Sequence, residues 1–116
     1  MNEYIIYHNP RCSKSRQTLA IMNEKNLDVK IVEYLSEPPS GDELEVISKK
    51  LALKPMEFIR KKEVEFTELG LKSYNGTDSN LCKIMNENPK LIERPIVVKG
   101  EKAIIGRPPE NVLELF

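Results

Sequence analysis

Cys12 lies where a short apolar run and a polar loop give way to a helical stretch. Such a junction offers unpaired backbone N–H groups and the positive end of the helix dipole, and both favour an anion. The same effects lower a thiol's pKa and raise its thiolate fraction, which a nucleophilic cysteine requires. Arg11, Lys14 and Arg16 stand close by and add positive charge. Free cysteine is commonly a core residue, but a loop-to-helix junction among polar residues is a poor core site, so the reactive reading is preferred.

The spacing narrows the chemistry. Ser15 occupies the third position after Cys12, so Cys-x-x-Cys is absent and any resolving thiol must come from elsewhere. Cys82, the other cysteine, stands in a helical stretch otherwise marked by apolar residues and reads as structural. A Cys-x5-Arg phosphatase loop is missing as well. In His8-x-x-x-Cys12-x-x-x-Arg16 the imidazole falls at the end of a strand. It either helps the thiol ionise or orients the loop, or it satisfies a loop hydrogen bond and nothing more. Arg60, Arg94 and Arg107 stand out by context, although surface arginine is the ordinary reading of each. Guanidiniums gathered around a thiolate are poor stabilising salt bridges, because like charges repel and few acidic partners are evident. As planar forks they suit bidentate binding of a tetrahedral oxyanion.

These groups need a scaffold. Tyr4–Tyr7 is β-branched and aromatic and predicts a buried strand, a polar turn follows, and a helix is expected from about Cys12 to Lys25 with Leu19 and Met22 on its apolar side and Ala20 and Ile21 beside them. Val29–Tyr34 predicts a second strand, parallel to the first because the crossover is long. Ser40-x-x-Glu43 is a capping box before Leu44, Ile47 and Leu51, and Pro55 opens a short helix holding Met56 and Ile59, with Arg60 at its end. Residues 62–76 carry no clear period and read as loop with room for one helical turn. Leu81, Ile84 and Met85 predict a helix that stops before Pro89. The runs 96–98 and 103–105 around Lys99-Gly100-Glu101-Lys102 predict a β-hairpin, and Pro108-Pro109-Glu110 opens a last helix with Val112, Leu113 and Phe116.

The order βαβ, helical middle (about 40–90), ββα fits one α/β domain over 1–116: a thioredoxin-like fold, with a four-stranded mixed sheet and a helical insertion between strands 2 and 3. In that fold a cis proline precedes the third strand, and Pro95 holds the place. Its neighbour Arg94 would then lie within reach of Cys12, with Arg107 leaving the adjacent edge of the hairpin.

Composition agrees with this. The chain has 116 residues, 40% hydrophobic and 31% charged, with eighteen basic and eighteen acidic residues. Net charge +0 argues against a general electrostatic grip on nucleic acid or an anionic membrane. No apolar run approaches a membrane span, no secretory signal is visible, and a cytoplasmic chain is expected to keep both thiols reduced. Two cysteines and one histidine make a metal centre improbable. A monomer is the default for a small domain of this kind.

The segment Tyr7-His8-Asn9-Pro10-Arg11-Cys12-Ser13-Lys14-Ser15-Arg16, the Tyr34-Leu35 and Pro38-Pro39-Ser40 stretch, and Arg94-Pro95-Ile96-Val97-Val98 resemble the glutaredoxin-coupled arsenate reductases of the ArsC type. The likeness runs from about residue 4 to 115. Because the chain ends soon after Arg107-Pro108, it is most similar to the short YfgD-like branch. The resemblance implies that Cys12 is the nucleophile that attacks arsenic and that His8 assists its ionisation. Arg60, Arg94 and Arg107 would bind the oxyanion and the arsenic adduct, with Ser15 and Arg16 completing the expected oxyanion-binding set. It implies arsenate as substrate, glutathione as co-substrate, an external glutaredoxin as partner, and no bound cofactor. Two other relatives share parts of the pattern. Spx regulators bind RNA polymerase and sense oxidation through Cys-x-x-Cys, which Ser15 removes here. A monothiol glutaredoxin-like thiol transferase would show glutathione-binding features that the sequence does not display.

Overall fold

The aromatic and β-branched run at the start of the chain forms strand β1, Tyr4–His8, one residue longer than expected. Helix α1, Ser13–Glu24, returns the chain to strand β2, Val29–Glu33, which pairs parallel with β1. Strands β3, Ile96–Lys99, and β4, Lys102–Ile105, form the expected antiparallel hairpin, with Gly100 at φ 56 in its turn. β3 pairs antiparallel with β1, so the sheet order is β2-β1-β3-β4. This is the mixed sheet of a thioredoxin-like fold. The structure is a computed structural model and describes residues 3–116. Its chain packs as two compact units: 3–37 with Arg94–Phe116, and Pro38–Glu93.

In the sheet unit the core gathers Tyr4, Ile6, Met22, Val97, Val112 and Leu115. Each such side chain contributes about 1.5–3 kcal/mol by leaving water. β1 is central and mostly buried, whereas β2 is an edge strand and leaves Ile31 half exposed. Two expectations are corrected here. The buried side of α1 is Ser15, Thr18 and Met22, while Leu19 and Ile21 lie at the margin of the core and Ala20 is exposed. Small polar residues face inward because the N-terminal half of α1 packs on polar loop backbone; Ser15 Oγ, for instance, accepts from Asn9 N at 3.1 Å, while Thr18 Oγ1 donates back to Lys14 O of its own helix at 2.8 Å. The last helix is a 3-10 helix, Pro109–Leu115, that buries Pro109, Val112 and Leu115. With three residues per turn those positions share one face, which leaves Leu113 and Phe116 outside.

The helical unit opens with α2, Gly41–Leu51, whose N-cap Ser40 accepts from Glu43 N as the capping box requires. Leu44 and Ile47 are buried, and α2 packs against α4, Asp78–Glu87. The helix expected after Pro55 is only a 3-10 turn, Pro55–Glu57. Beyond it Ile59 pairs with Ile92 in an isolated β-bridge and Arg60 N donates to Leu91 O at 2.7 Å, so Arg60 sits on extended backbone. The stretch 62–76 is more ordered than expected. It holds α3, Val64–Glu68, and a 3-10 turn, Leu71–Ser73, both too short to show a period.

The Arg94–Pro95 bond is cis, as the fold expectation required, and so is Arg107–Pro108. Gly106 lies where these segments meet α1. A Cβ there would fall 2.5 Å from Thr18 Oγ1 and 2.8 Å from Pro95 Cγ. Gly106→Ala is therefore expected to destabilise the protein by about 1–3 kcal/mol in urea unfolding, whereas alanine at Gly100, where nothing crowds the site, meets only backbone strain.

Candidate active site

Cys12 is the N-cap of α1, with extended backbone at φ −91, ψ 122. Its N–H donates to Asn9 O at 3.0 Å, which closes the loop, and its C=O accepts from Arg16 N at 3.0 Å, which starts the helix. The residue is 9% exposed, so the sulfur is sheltered yet reachable. Arg107 Nη2 donates to Sγ at 3.4 Å. Sγ makes no capping hydrogen bond to the first turn of α1, yet the Ser15 and Lys14 N–H groups and the Arg94 side chain all favour its charged form. Burial by itself would push this thiol up. The Ser15 N–H, the Arg94 guanidinium and the Lys14 N–H together outweigh it, and the thiol titrates below its ordinary value.

The two arginines are tied to each other and to the sheet unit. Arg107 Nε donates to Arg94 O at 2.8 Å, so one guanidinium edge is anchored while Nη2 turns to the sulfur. Arg94 interacts with both Cys12 and Tyr34. Tyr34 is wholly buried just past the end of β2. The sequence marks Tyr34 only as the last residue of an apolar run, so its place beside Arg94 is a tertiary fact.

His8 is 7% exposed, and its Nδ1 lies 2.6 Å from Ser15 Oγ. Ser15 Oγ also accepts from Asn9 N at 3.1 Å. Ser15 Oγ therefore bridges the Asn9 backbone and the imidazole, and which of the hydroxyl and Nδ1 donates follows the ring tautomer. Burial is the main reason that the imidazole titrates below its ordinary value; Glu33 opposes this and Arg16 adds to it. The ring hydrogen-bonds Ser15, not Cys12, and so bears on the thiol only through Ser15, whose N–H favours the charged sulfur.

Of the groups singled out in the sequence, Cys12, Arg94, Arg107 and the Ser15 backbone come together, and His8 joins through Ser15. The Ser15 hydroxyl is turned inward to the loop. Arg16 is exposed, and its Nη1 donates to Pro10 O at 2.9 Å, bracing the same loop. Arg60 belongs to the helical unit. Contrary to the expectation of few acidic partners, its Nη1 meets Glu93 Oε1 at 2.6 Å and its Nε lies 3.5 Å from Glu63 Oε2. Cys82 is fully buried and its thiol is pushed up to about 11, first by burial and then by Glu45 and Asp78. Among the described residues no cluster of three or more His, Cys, Asp or Glu side chains could hold a metal ion, and no helix is long and apolar enough to cross a membrane.

Known proteins are close to this chain in sequence. Residues 7–115 match the ArsC family. The arsenate reductase of Haemophilus influenzae is 46% identical over 113 residues, covering 97% of each chain. The uncharacterized protein YfgD of Escherichia coli is 46% identical over 111 residues, 95% of this chain and 93% of that one. In three dimensions the arsenate reductase from Vibrio cholerae superimposes with a TM-score of 0.93 at 44% identity, covering 97% of both chains. A match that spans the Cys12 loop, the cis-proline segment and the hairpin in one order places this chain in the ArsC family.

Proposed function

We propose that this protein is a glutathione- and glutaredoxin-dependent arsenate reductase, acting as a cytoplasmic monomer with Cys12 as its nucleophile. The observation that carries the reading is the positive surround of one sulfur: Arg107 Nη2 donates to it at 3.4 Å, and the Ser15 and Lys14 N–H groups and Arg94 favour its thiolate. Donors that hold a thiolate are also placed to hold the oxygens of a small tetrahedral anion brought to it. The names of the relatives, arsenate reductases among them, support the same substrate.

The Cys12 thiolate attacks arsenic and displaces one oxygen as hydroxide or, once protonated, as water, leaving a thiol ester of As(V). Arg94 and Arg107 offset the charge of the remaining oxygens, each as a planar fork. Glutathione displaces a second oxygen. A glutaredoxin thiolate then attacks the glutathione sulfur, and the electron pair of the S–As bond stays on arsenic. One mixed disulfide thus balances the two-electron reduction to As(III), and water releases arsenite from Cys12. His8 positions Ser15 in this scheme. Arg60 and Arg16 are assigned to the oxyanion by resemblance alone.

The test is NADPH oxidation through glutathione reductase with arsenate, glutathione and glutaredoxin present. Cys12→Ser is expected to abolish turnover. Cys82→Ala should retain it while costing about 1 kcal/mol of stability, as an ordinary core change does. Turnover surviving in Cys12→Ser would remove the mechanism.

The pH dependence follows from the depressed thiol. Thiolate forms above the pKa, so alkylation of Cys12 should rise through an inflection below the usual ~8.5. In Arg94→Gln that inflection should move to higher pH, and kcat/KM for arsenate should fall by about 100-fold, the scale for losing one preorganised donor. An unmoved inflection would show that Arg94 does not act on the sulfur.

A further inference from the structure

A cleft of about 260 Å³ opens beside the nucleophile loop, lined by His8, Asn9, Pro10, Arg11, Glu33 and Leu35, with Ser36 at its rim. It lies at the carboxyl ends of two adjacent parallel strands, where His8 and Glu33 are partners in register. In open α/β sheets that is where ligands collect. Its walls are fixed. Asn9 Oδ1 accepts from Arg11 N at 3.0 Å, and Glu33 O accepts from Ser36 N and Glu37 N at 3.1 and 2.9 Å.

The charges of this cleft select the ligand. Arg11 and Glu33 are both exposed and both line it, and they form no ion pair with each other. A simple anion would meet Glu33 and a simple cation would meet Arg11. A group that carries an ammonium and a carboxylate on one carbon satisfies both, and its aliphatic part can lie on Pro10 and Leu35. Arg11 directly precedes Cys12, at the ~3.8 Å Cα spacing of neighbouring residues. A ligand held by its amino-acid end in the cleft and reacting beside Cys12 must therefore place a thiol about two residues, roughly 7 Å, further along.

We propose that this cleft binds the γ-glutamyl end of glutathione, with Glu33 on its ammonium, Arg11 on its α-carboxylate, and the cysteinyl thiol directed toward the sulfur of Cys12. The assignment deepens the reductase reading above and rests on it for the identity of the thiol. It makes the co-substrate site separate from the Arg94 and Arg107 donors, so oxyanion and glutathione can be held at once.

The experiment uses S-methylglutathione, which cannot react, titrated into the full-length protein and followed by amide NMR. Saturable shifts are expected at Asn9, Arg11, Glu33 and Ser36, and the dipeptide Cys-Gly, which lacks the γ-glutamyl group, should not produce them. Desamino-glutathione supplies a cycle. Loss of the ammonium should weaken binding in the wild type but make no further difference in Glu33→Gln. In the coupled assay Arg11→Gln and Glu33→Gln should each raise KM for glutathione about three- to fivefold, the size of one exposed charge contact, with kcat held. The alkylation inflection of Cys12 should not move in either variant, which separates docking from an effect on the nucleophile. Turnover with glutathione but no saturable shifts in the cleft would overturn this site and leave the reductase reading standing. Saturation without any arsenate turnover would do the reverse, and absence of both would remove both.

Discussion

The protein depends on how one sulfur is solvated. Water is largely excluded from Cys12, which by itself would keep the thiol protonated, and the groups that offset this are of two kinds. Two are backbone N–H groups of the first turn of α1, which have no carbonyl partner within the helix and are fixed by the fold. The others are guanidiniums, which carry full charge and bring it from segments distant in sequence. Each pKa unit so gained corresponds to about 1.4 kcal/mol of preference for the thiolate. Since none of these donors has to move when a negative charge approaches, the field is already present before substrate arrives.

That field requires three loops to lie close to one another. The turn from β1 brings Asn9 to the N-H of Cys12, the cis Arg94–Pro95 segment brings one guanidinium, and the exit of β4 brings the other. Close approach is obtained by removing bulk and by placing polar groups where an ordinary helix would place leucine. Gly106 has no side chain where Thr18 and Pro95 converge, and Ser15 and Thr18 form the inward stripe of α1 with their oxygens bonded to neighbouring backbone. The buried imidazole of His8 belongs to the same arrangement. It is neutralised by burial and bonded to Ser15, so it adds rigidity to the turn without adding a competing charge.

The helical unit handles charge differently. Arg60 stands between two carboxylates, Glu63 and Glu93, and its contacts with them are those of a part-buried ion pair. Arg94 and Arg107 meet a sulfur, a phenol and a backbone carbonyl in the sheet unit.

The place of Cys12 at the head of a helix and the order of the elements were legible in the chain by itself, because both rest on local chemistry. A cysteine at a loop-to-helix junction, a βαβ pattern, a capping box at Ser40 and a hairpin around Gly100 are each specified by residues close together. The resemblance added the partners of Cys12, of which Arg94 and Arg107 met it and Arg60 was found among acids. The sequence misled where burial is decided by distant packing: the polar face of α1 and the period-three face of Pro109–Leu115. It was silent on Tyr34 beside Arg94, on the inward turn of the Ser15 hydroxyl, and on the pairing of His8 with Glu33 across two strands. Hydrophobic periodicity records only whether a side chain leaves water. Which polar group it then meets depends on strands and loops that the chain brings together from tens of residues away, and only the folded structure decides that.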